Sequence, residues 1–234
     1  IVEIVYGQSL ECEHHACLDV PHHSAQVLWD LSNYYEHVDR ECLAKRAMAS
    51  GFPSCLLRVI LAQYGSPRFV AYQDACVSVG KAWKGISAGC GWATYLVQMY
   101  VLAPLDLWTS EHSYVSLTMF IYDLMIQCHA RSYDLVISQL NTAARSLARC
   151  ITLEFKCQIA TKKSQLLASS QGLQNKLRKT LRVLAGPSTD TSGPNLGMES
   201  GAARPQNRWR KGRKLAERFP QIKKRMSRIK MIKH

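Results

Sequence analysis

The sequence predicts an α+β fold, an antiparallel sheet backed by helices, and three observations predict it. Val115 to Gln127, VSLTMFIYDLMIQ, alternates apolar and small polar residues up to Met119, breaks at Tyr122-Asp123 and resumes as Leu124, Met125 and Ile126. Period-two alternation around a short polar break is the pattern of a tight β-hairpin. A second strand-like run, Val27-Leu28-Trp29, ends on Asp30 within the segment Ala25 to Asp39. After the hairpin an amphipathic helix pattern gives way again to strand chemistry, the element order of an α+β domain.

Asp123 is expected at the hairpin tip, the only carboxylate between Glu111 and Asp134 and flanked by apolar strands. A carboxylate in such surroundings is costly without a partner, so a metal or a second polar chain is expected beside it. Two strand-end aspartates brought together, Asp30 and Asp123, would make a site for a hard divalent cation.

The remaining elements follow from periodicity and punctuation. Ser32 to Ser50 has helical spacing through Tyr35, Val38, Leu43 and Ala47, and Gly51-Phe52-Pro53 stops it. Pro53 opens a second helix, Ser54 to Tyr64, closed by Gly65. Arg68 to Val79 is strand-like, with Phe69, Tyr72, Val77 and Val79 as core contacts. Gly85, Gly89 and Gly91 precede an apolar helix from Trp92 to Leu107, which Pro104 should kink or end. A glycine-rich helix entry lets the backbone approach a phosphate closely, and a tight turn before a buried helix needs the same residues. Tyr133 to Cys150 is an amphipathic helix with Leu135, Ile137, Leu140, Ala144 and Leu147 inward and Arg145 and Arg149 outward. Leu153 to Ser170 turns to strand chemistry around Phe155, Ile159 and Leu166-Leu167, and Gln171 to Leu184 is a basic amphipathic helix. Ala185 to Pro194, rich in Gly, Pro, Ser and Thr, is a linker.

Composition bounds the function. The chain has 234 residues, 47% of them hydrophobic, enough for a sizeable core. Its net charge of +13 is concentrated in one place: from Gly201 to His234 thirteen Lys and Arg face the single acid Glu217. This tail alternates bases with Trp209, Phe219, Ile222, Met226 and Ile229. It predicts a nucleic-acid contact through Arg204, Arg208, Arg210, Lys211, Arg213, Lys214, Lys223, Lys224 and Arg225, and equally fits a disordered solvated tail or a nuclear import signal. Gln98 and Asp106 interrupt the best apolar run, so no membrane partner is expected. The chain begins at Ile1 without a charged, apolar leader, which predicts an intracellular fragment of something longer. Nine cysteines without paired spacing predict reduced thiols. One cluster, Cys12, His14, His15, Cys17, His22 and His23, has the chemistry of a zinc site but no finger spacing.

Four segments, taken together, resemble a known family. Asp30 followed five and six residues on by Tyr35-Glu36 resembles motif A of reverse transcriptases. Lys84-Gly85-Ile86-Ser87-Ala88-Gly89-Cys90 and the helix to Asp106 resemble motif B, Phe120-Ile121-Tyr122-Asp123 motif C, and Ile159-Ala160-Thr161-Lys162-Lys163-Ser164 motif D. The likeness covers about Val27 to Ser170, and Asn195-Leu196-Gly197 resembles a late segment of reverse transcriptases encoded by eukaryotic retroelements. It implies three regions: a truncated fingers remnant or disordered segment at 1–24, a polymerase palm at 25–170 with a fingers insertion at about 51–84, and a linker with basic tail at 171–234.

The resemblance also implies roles. Asp30, the Leu31 carbonyl and Asp123 would bind Mg2+ or Mn2+, and Asp30, Asp123 and Lys163 would carry the chemistry of deoxynucleotide addition to a primer on an RNA or DNA template. Lys163 matches the motif D lysine that protonates the departing pyrophosphate, with Lys162 as the neighbouring register. Tyr35 stands at the aromatic gate against the ribose 2′-hydroxyl, or packs a helix on the sheet. Arg68 would reach a phosphate, or is a solvated strand-start arginine. Gly85 and Gly89 would belong to the segment that binds the deoxynucleoside triphosphate substrate and packs beneath the templating base and primer. Motif C departs from the family, because Tyr122 occupies the position of its first aspartate, one base change away in codon terms. A phenol with a pKa of about 10 does not replace a carboxylate as a metal ligand. The expectation is a polymerase fold with lost or impaired nucleotidyl transfer, or a non-catalytic nucleic-acid-binding remnant of a retroelement.

Overall fold

The sheet is built on strand β1 (His23–Ser32), whose residues from Ser24 to Trp29 are all buried. The computed structural model describes residues 22–121, 123–161, 163–181, 192–195 and 198–201. On one side β1 pairs antiparallel with β5 (Asp123–Ala130), in a register running from His23↔Ala130 to Asp30↔Asp123. Strand β4 (Ser116–Phe120) continues the sheet from β5, closing the predicted hairpin with Phe120↔Asp123. On the other side β6 (Gln158–Ile159) pairs with Leu31 and Ser32, and β7 (Gln165–Ala168) with residues 25–28.

Strand periodicity divides this sheet into two faces with different chemistry. Ala25, Val27, Trp29 and Leu31, with Leu124, Ile126 and Cys128, project into the main core. The opposite face carries Gln26, Leu28 and Asp30 against Gln127, Met125 and Asp123. There the buried amides of Gln26 and Gln127 bond at 3.0 Å, and Leu28, Met125 and Leu167 form a small apolar cluster of their own. Both aspartates therefore lie on the face away from the core.

Helices cover the core face. They are α1 (Tyr34–His37), α2 (Arg40–Ala49), α3 (Ser54–Gly65), α4 (Ala93–Glu111), α5 (Tyr133–Leu153) and α6 (Gln171–Thr180). Leu43, Leu96, Leu140, Leu147, Ile151, Leu173 and Leu177 are fully buried in one cluster with Trp29. Each such side chain contributes on the order of 1.5–3 kcal/mol. Caps set the helix starts: Asp39 accepts from the Glu41 and Cys42 amides, Ser132 from Leu135 and Ser170 from Leu173. The predicted helix over Ser32 to Ser50 is thus two pieces, because Asn33 turns left-handed (φ 46°) and Asp39 caps a new start.

Four further expectations are corrected. Helix α4 runs through Pro104 to Glu111, past the expected end at Leu107, so Pro104 does not end it. Proline 104 has no N–H for the Tyr100 carbonyl four residues earlier, and Arg46 Nη1 donates to that carbonyl instead, at 2.6 Å. On α5, Leu135 is 47% exposed, and Val136, in step with Leu140 and Leu147, takes the inward position. Segment 68–79 is not one buried strand but a hairpin, β2 (Pro67–Tyr72) and β3 (Ala75–Lys81), on which Phe69, Tyr72, Val77 and Val79 are all at least 60% exposed. Among the described residues no third strand joins this ribbon. Finally, Ser192 to Pro194, expected in the linker, belongs to β8 (Ser192–Asn195), which pairs with β9 (Met198–Gly201). Helix α6 is described to Thr180, and most of the expected linker, 185–191, lies outside the described residues. Among the described residues no helix is long and apolar enough to cross a membrane.

Candidate functional site

The Asp30 carbonyl accepts the Ala160 amide at 2.8 Å, so the backbone polar groups of Asp30 face β6. Its cross-strand partner Asp123 is therefore at a non-hydrogen-bonded position of the β1–β5 ladder, where Cα atoms approach to about 4.5 Å and side chains are closest. Two carboxylates on one face in this register repel each other. Burial first, and then the Asp30 charge, raise the pKa of Asp123 above the ordinary carboxylate value, while Lys163 acts in the opposite direction. Lys163 Nζ lies 3.0 Å from Asp30 Oδ2, with the lysine 72% and the aspartate 22% exposed. One ammonium thus offsets part of a two-carboxylate charge.

Asp123 is not at the hairpin tip. It opens β5 opposite Phe120, and Ile121 lies in the turn just before it. Two-residue hairpin turns demand positive φ, and Ile121 supplies it at 58°. A β-branched residue in that region costs about 1–2 kcal/mol. Tyr122 itself lies outside the described residues, as does Lys162. Lys163 sits in the turn between β6 and β7, its amide bonded to the Ala160 carbonyl at 2.9 Å.

The segment resembling motif B is fastened to the segment resembling motif A through Gly85. At φ 82°, a Cβ on Gly85 would lie 2.8 Å from the Glu36 Cα and 2.9 Å from the Tyr35 and Glu36 carbonyl oxygens. The Gly85 amide donates to the Val38 carbonyl and the Ile86 amide to the Tyr35 carbonyl, each at 2.8 Å. Only glycine fits this approach. Gly89 differs: open space surrounds its Cβ position, so packing does not require glycine there. Tyr35 is half-buried against the core, its ring 5.9 Å from that of Tyr34.

Sequence reasoning missed Arg40, which holds this junction with three donors. Its Nε bonds the Gly85 carbonyl at 2.7 Å, Nη1 the Ala82 carbonyl at 2.8 Å and Nη2 the Lys84 carbonyl at 3.2 Å. Also missed was the support behind Asp30, where Lys156 pairs with Asp39 and the Tyr100 hydroxyl donates to the Phe155 carbonyl at 3.2 Å. These contacts span long sequence separations and leave no local pattern to find.

Arg68 is exposed on β2 opposite Gly80, near enough to Arg40 that its charge adds to burial in lowering the Arg40 pKa. The candidate nucleic-acid residues of the tail, Arg204 to Arg225, lie outside the described residues, as do Cys12, His14, His15 and Cys17. Of that cluster His23 stacks edge-on against Tyr133 at 4.1 Å, and no group of three metal-ligating side chains occurs among the described residues.

No protein-family model matches the chain, and no curated protein matches it. Solved structures do. Apo telomerase from Candida tropicalis, truncated of its C-terminal domain, aligns with a TM-score of 0.59 at 8% identity, over 86% of this chain and 39% of that one. Telomerase from Candida tropicalis in complex with a TWJ fragment of telomeric RNA aligns with a TM-score of 0.53, also at 8% identity, over 73% of this chain and 30% of that one. The chain spans well under half the length of these neighbours. At such identity the likeness is one of fold: an α+β, palm-like arrangement of an antiparallel sheet backed by helices.

Proposed function

We propose that this chain is a reverse-transcriptase palm of retroelement origin that holds an RNA or DNA primer-template, and in which deoxynucleotide addition is lost or greatly weakened. The observation that carries the reading is the register Asp30↔Asp123. It brings two partly buried carboxylates, far apart in sequence, side by side on the sheet face away from the main core, with mutual repulsion to relieve.

The donor set fits one hard divalent cation: Asp30 and Asp123 offer carboxylate oxygens, and the Leu31 carbonyl alternates to the opposite side of β1 from the Asp30 carbonyl. Bound there, Mg2+ or Mn2+ would supply Lewis-acid stabilisation to a triphosphate. A pair of ions needs a further carboxylate, and Tyr122 occupies the sequence position from which the family supplies it. The chain's own groups do the rest: Lys163 places a positive charge beside Asp30, Gly85 fixes the entry to α4 against the turn after β1, and Tyr35 stands over that junction. The basic segment from Gly201 onward supports both backbone-phosphate contact and a nuclear location.

The test is primer extension on an RNA template with Mg2+ or Mn2+, comparing the natural chain, Tyr122→Asp, and Tyr122→Asp combined with Asp30→Ala. Extension by Tyr122→Asp alone is the expected result. Extension by the natural chain, abolished by Asp30→Ala, would overturn the claim of lost chemistry. Binding of primer-template without extension by any of the three would leave a non-catalytic nucleic-acid-binding protein.

A further inference from the structure

We infer that Trp83, flanked by Lys81 and Lys84, is a stacking platform for an unpaired base of a single-stranded nucleic acid. Trp83 is 90% exposed, the most exposed large apolar side chain described, and it stands on the segment joining β3 to the Gly85 junction. Exposure of an indole on a loose loop would say little. This loop is fixed: the Arg40 guanidinium bonds the carbonyls on both sides of Trp83, Ala82 at 2.8 Å and Lys84 at 3.2 Å, and Gly85 beyond them at 2.7 Å. A side chain offered to solvent from a clamped backbone loses little backbone entropy when a flat partner lands on it.

The surrounding charge selects the partner. From Arg68 to Lys84 the bases are Arg68, Lys81 and Lys84, and the only acid, Asp74, sits at the far turn of the β2–β3 ribbon. At the near end Lys81 pairs with Pro67 and Arg68 with Gly80, so all three cations and Arg40 gather around the Trp83 loop. Arg40 already carries an unfavourable interaction with Arg68, which a polyanion relieves. One acid, Glu36, has its backbone against Gly85 at the end of this loop. An aromatic face beside a phosphate-attracting cluster is the chemistry of single-strand binding, in which bases stack irrespective of sequence. This inference rests on the reading of the chain as a nucleic-acid-handling palm and adds a contact to it.

The experiment measures fluorescence anisotropy of a labelled thymidine strand of about 12 nucleotides, a length within single-strand site sizes. A strand of the same length with abasic sugars is the control, and the buffer contains no divalent metal or nucleotide. The natural chain is expected to bind the base-bearing strand about 5- to 150-fold more tightly than the abasic one, the range for one stacked base. Trp83→Ala should erase that ratio and Trp83→Phe should keep most of it. Lys81→Ala with Lys84→Ala should keep the ratio and reduce the salt slope by about 1.4, at roughly 0.7 per phosphate contact. An unchanged ratio in Trp83→Ala overturns the platform while leaving salt-dependent binding, and with it the palm reading, intact. Absence of salt-dependent binding by any variant overturns both.

Discussion

Replacing Asp123 with Asn should make the metal-free protein more stable, although it removes a candidate functional group. At about 5 Å and an effective dielectric of about 20, two carboxylates repel by roughly 3 kcal/mol. Partial exposure and the Lys163 ammonium, 3.0 Å from Asp30, reduce this. A net gain of about 1–2 kcal/mol is left for Asp123→Asn, or about 3–6 °C in Tm for a domain of this size. The pH dependence has a definite sign. Asp123 is raised in the folded state, so between its unfolded value and its folded value the native protein binds more protons, and stability falls as pH rises. The advantage of Asn should therefore be small near about pH 3 and grow to its full size by about pH 7. Asp39 works the other way: its bonds to Lys156 and to the Cys42 amide hold it below the ordinary value, and the stability it contributes is lost on acidification in parent and variant alike. Thermal unfolding followed by circular dichroism across this range, with and without Mg2+ or Mn2+, is the assay. Metal should raise the Tm of the parent and leave Asp123→Asn nearly unmoved. A variant less stable than the parent at neutral pH, or one that gains as much from metal, would refute the repulsion argument.

Two substitutions examine what holds the site in place. Gly85→Ala puts a methyl 2.8 Å from the Glu36 Cα at a positive φ and should cost about 3 kcal/mol or more, read as a fall in the urea midpoint and in any nucleic-acid affinity of the palm. Arg46→Ala should cost about 2–3 kcal/mol by stripping the Tyr100 carbonyl, and about 1–2 kcal/mol less in a Pro104→Ala background, where the restored N–H serves that carbonyl; additive effects in denaturant titrations would sink this account.

The parts of the fold legible in the sequence are those whose physics is local. A run such as Val27-Leu28-Trp29 is strand-like in composition, so the strand that carries Asp30 can be read from a few residues, although it runs on to Ser32 rather than ending at the aspartate. The same is true of the helix starts at Ser132 and Ser170, where a hydroxyl precedes an apolar repeat. Burial of the β2–β3 ribbon could not be read this way, because Phe69, Tyr72, Val77 and Val79 show the same alternation whether or not anything covers them. Nor could the clamp made by Arg40, since an arginine in the first turn of a helix says nothing about carbonyls more than forty residues away.

Local preference and structure disagree at three notable places, and two of them lie next to the segments that carry the aspartates. Ile121 adopts a glycine-like φ in the turn that delivers Asp123. Gly85 is pressed on the backbone of Tyr35 and Glu36, just after the strand that delivers Asp30. Pro104 interrupts the ladder of the helix that Gly85 leads into, and an arginine from α2 repairs it. Each feature costs stability on its own, and each is held by contacts from a different element. A chain selected only for a stable core would have no use for two like charges paired across adjacent strands beside such strain. Strain retained because the surrounding structure enforces it, in company with a repelling carboxylate pair, is the physical signature of a site built to receive something. That signature rests on Asp30, Asp123, Ile121 and Gly85, and none of it depends on Tyr122.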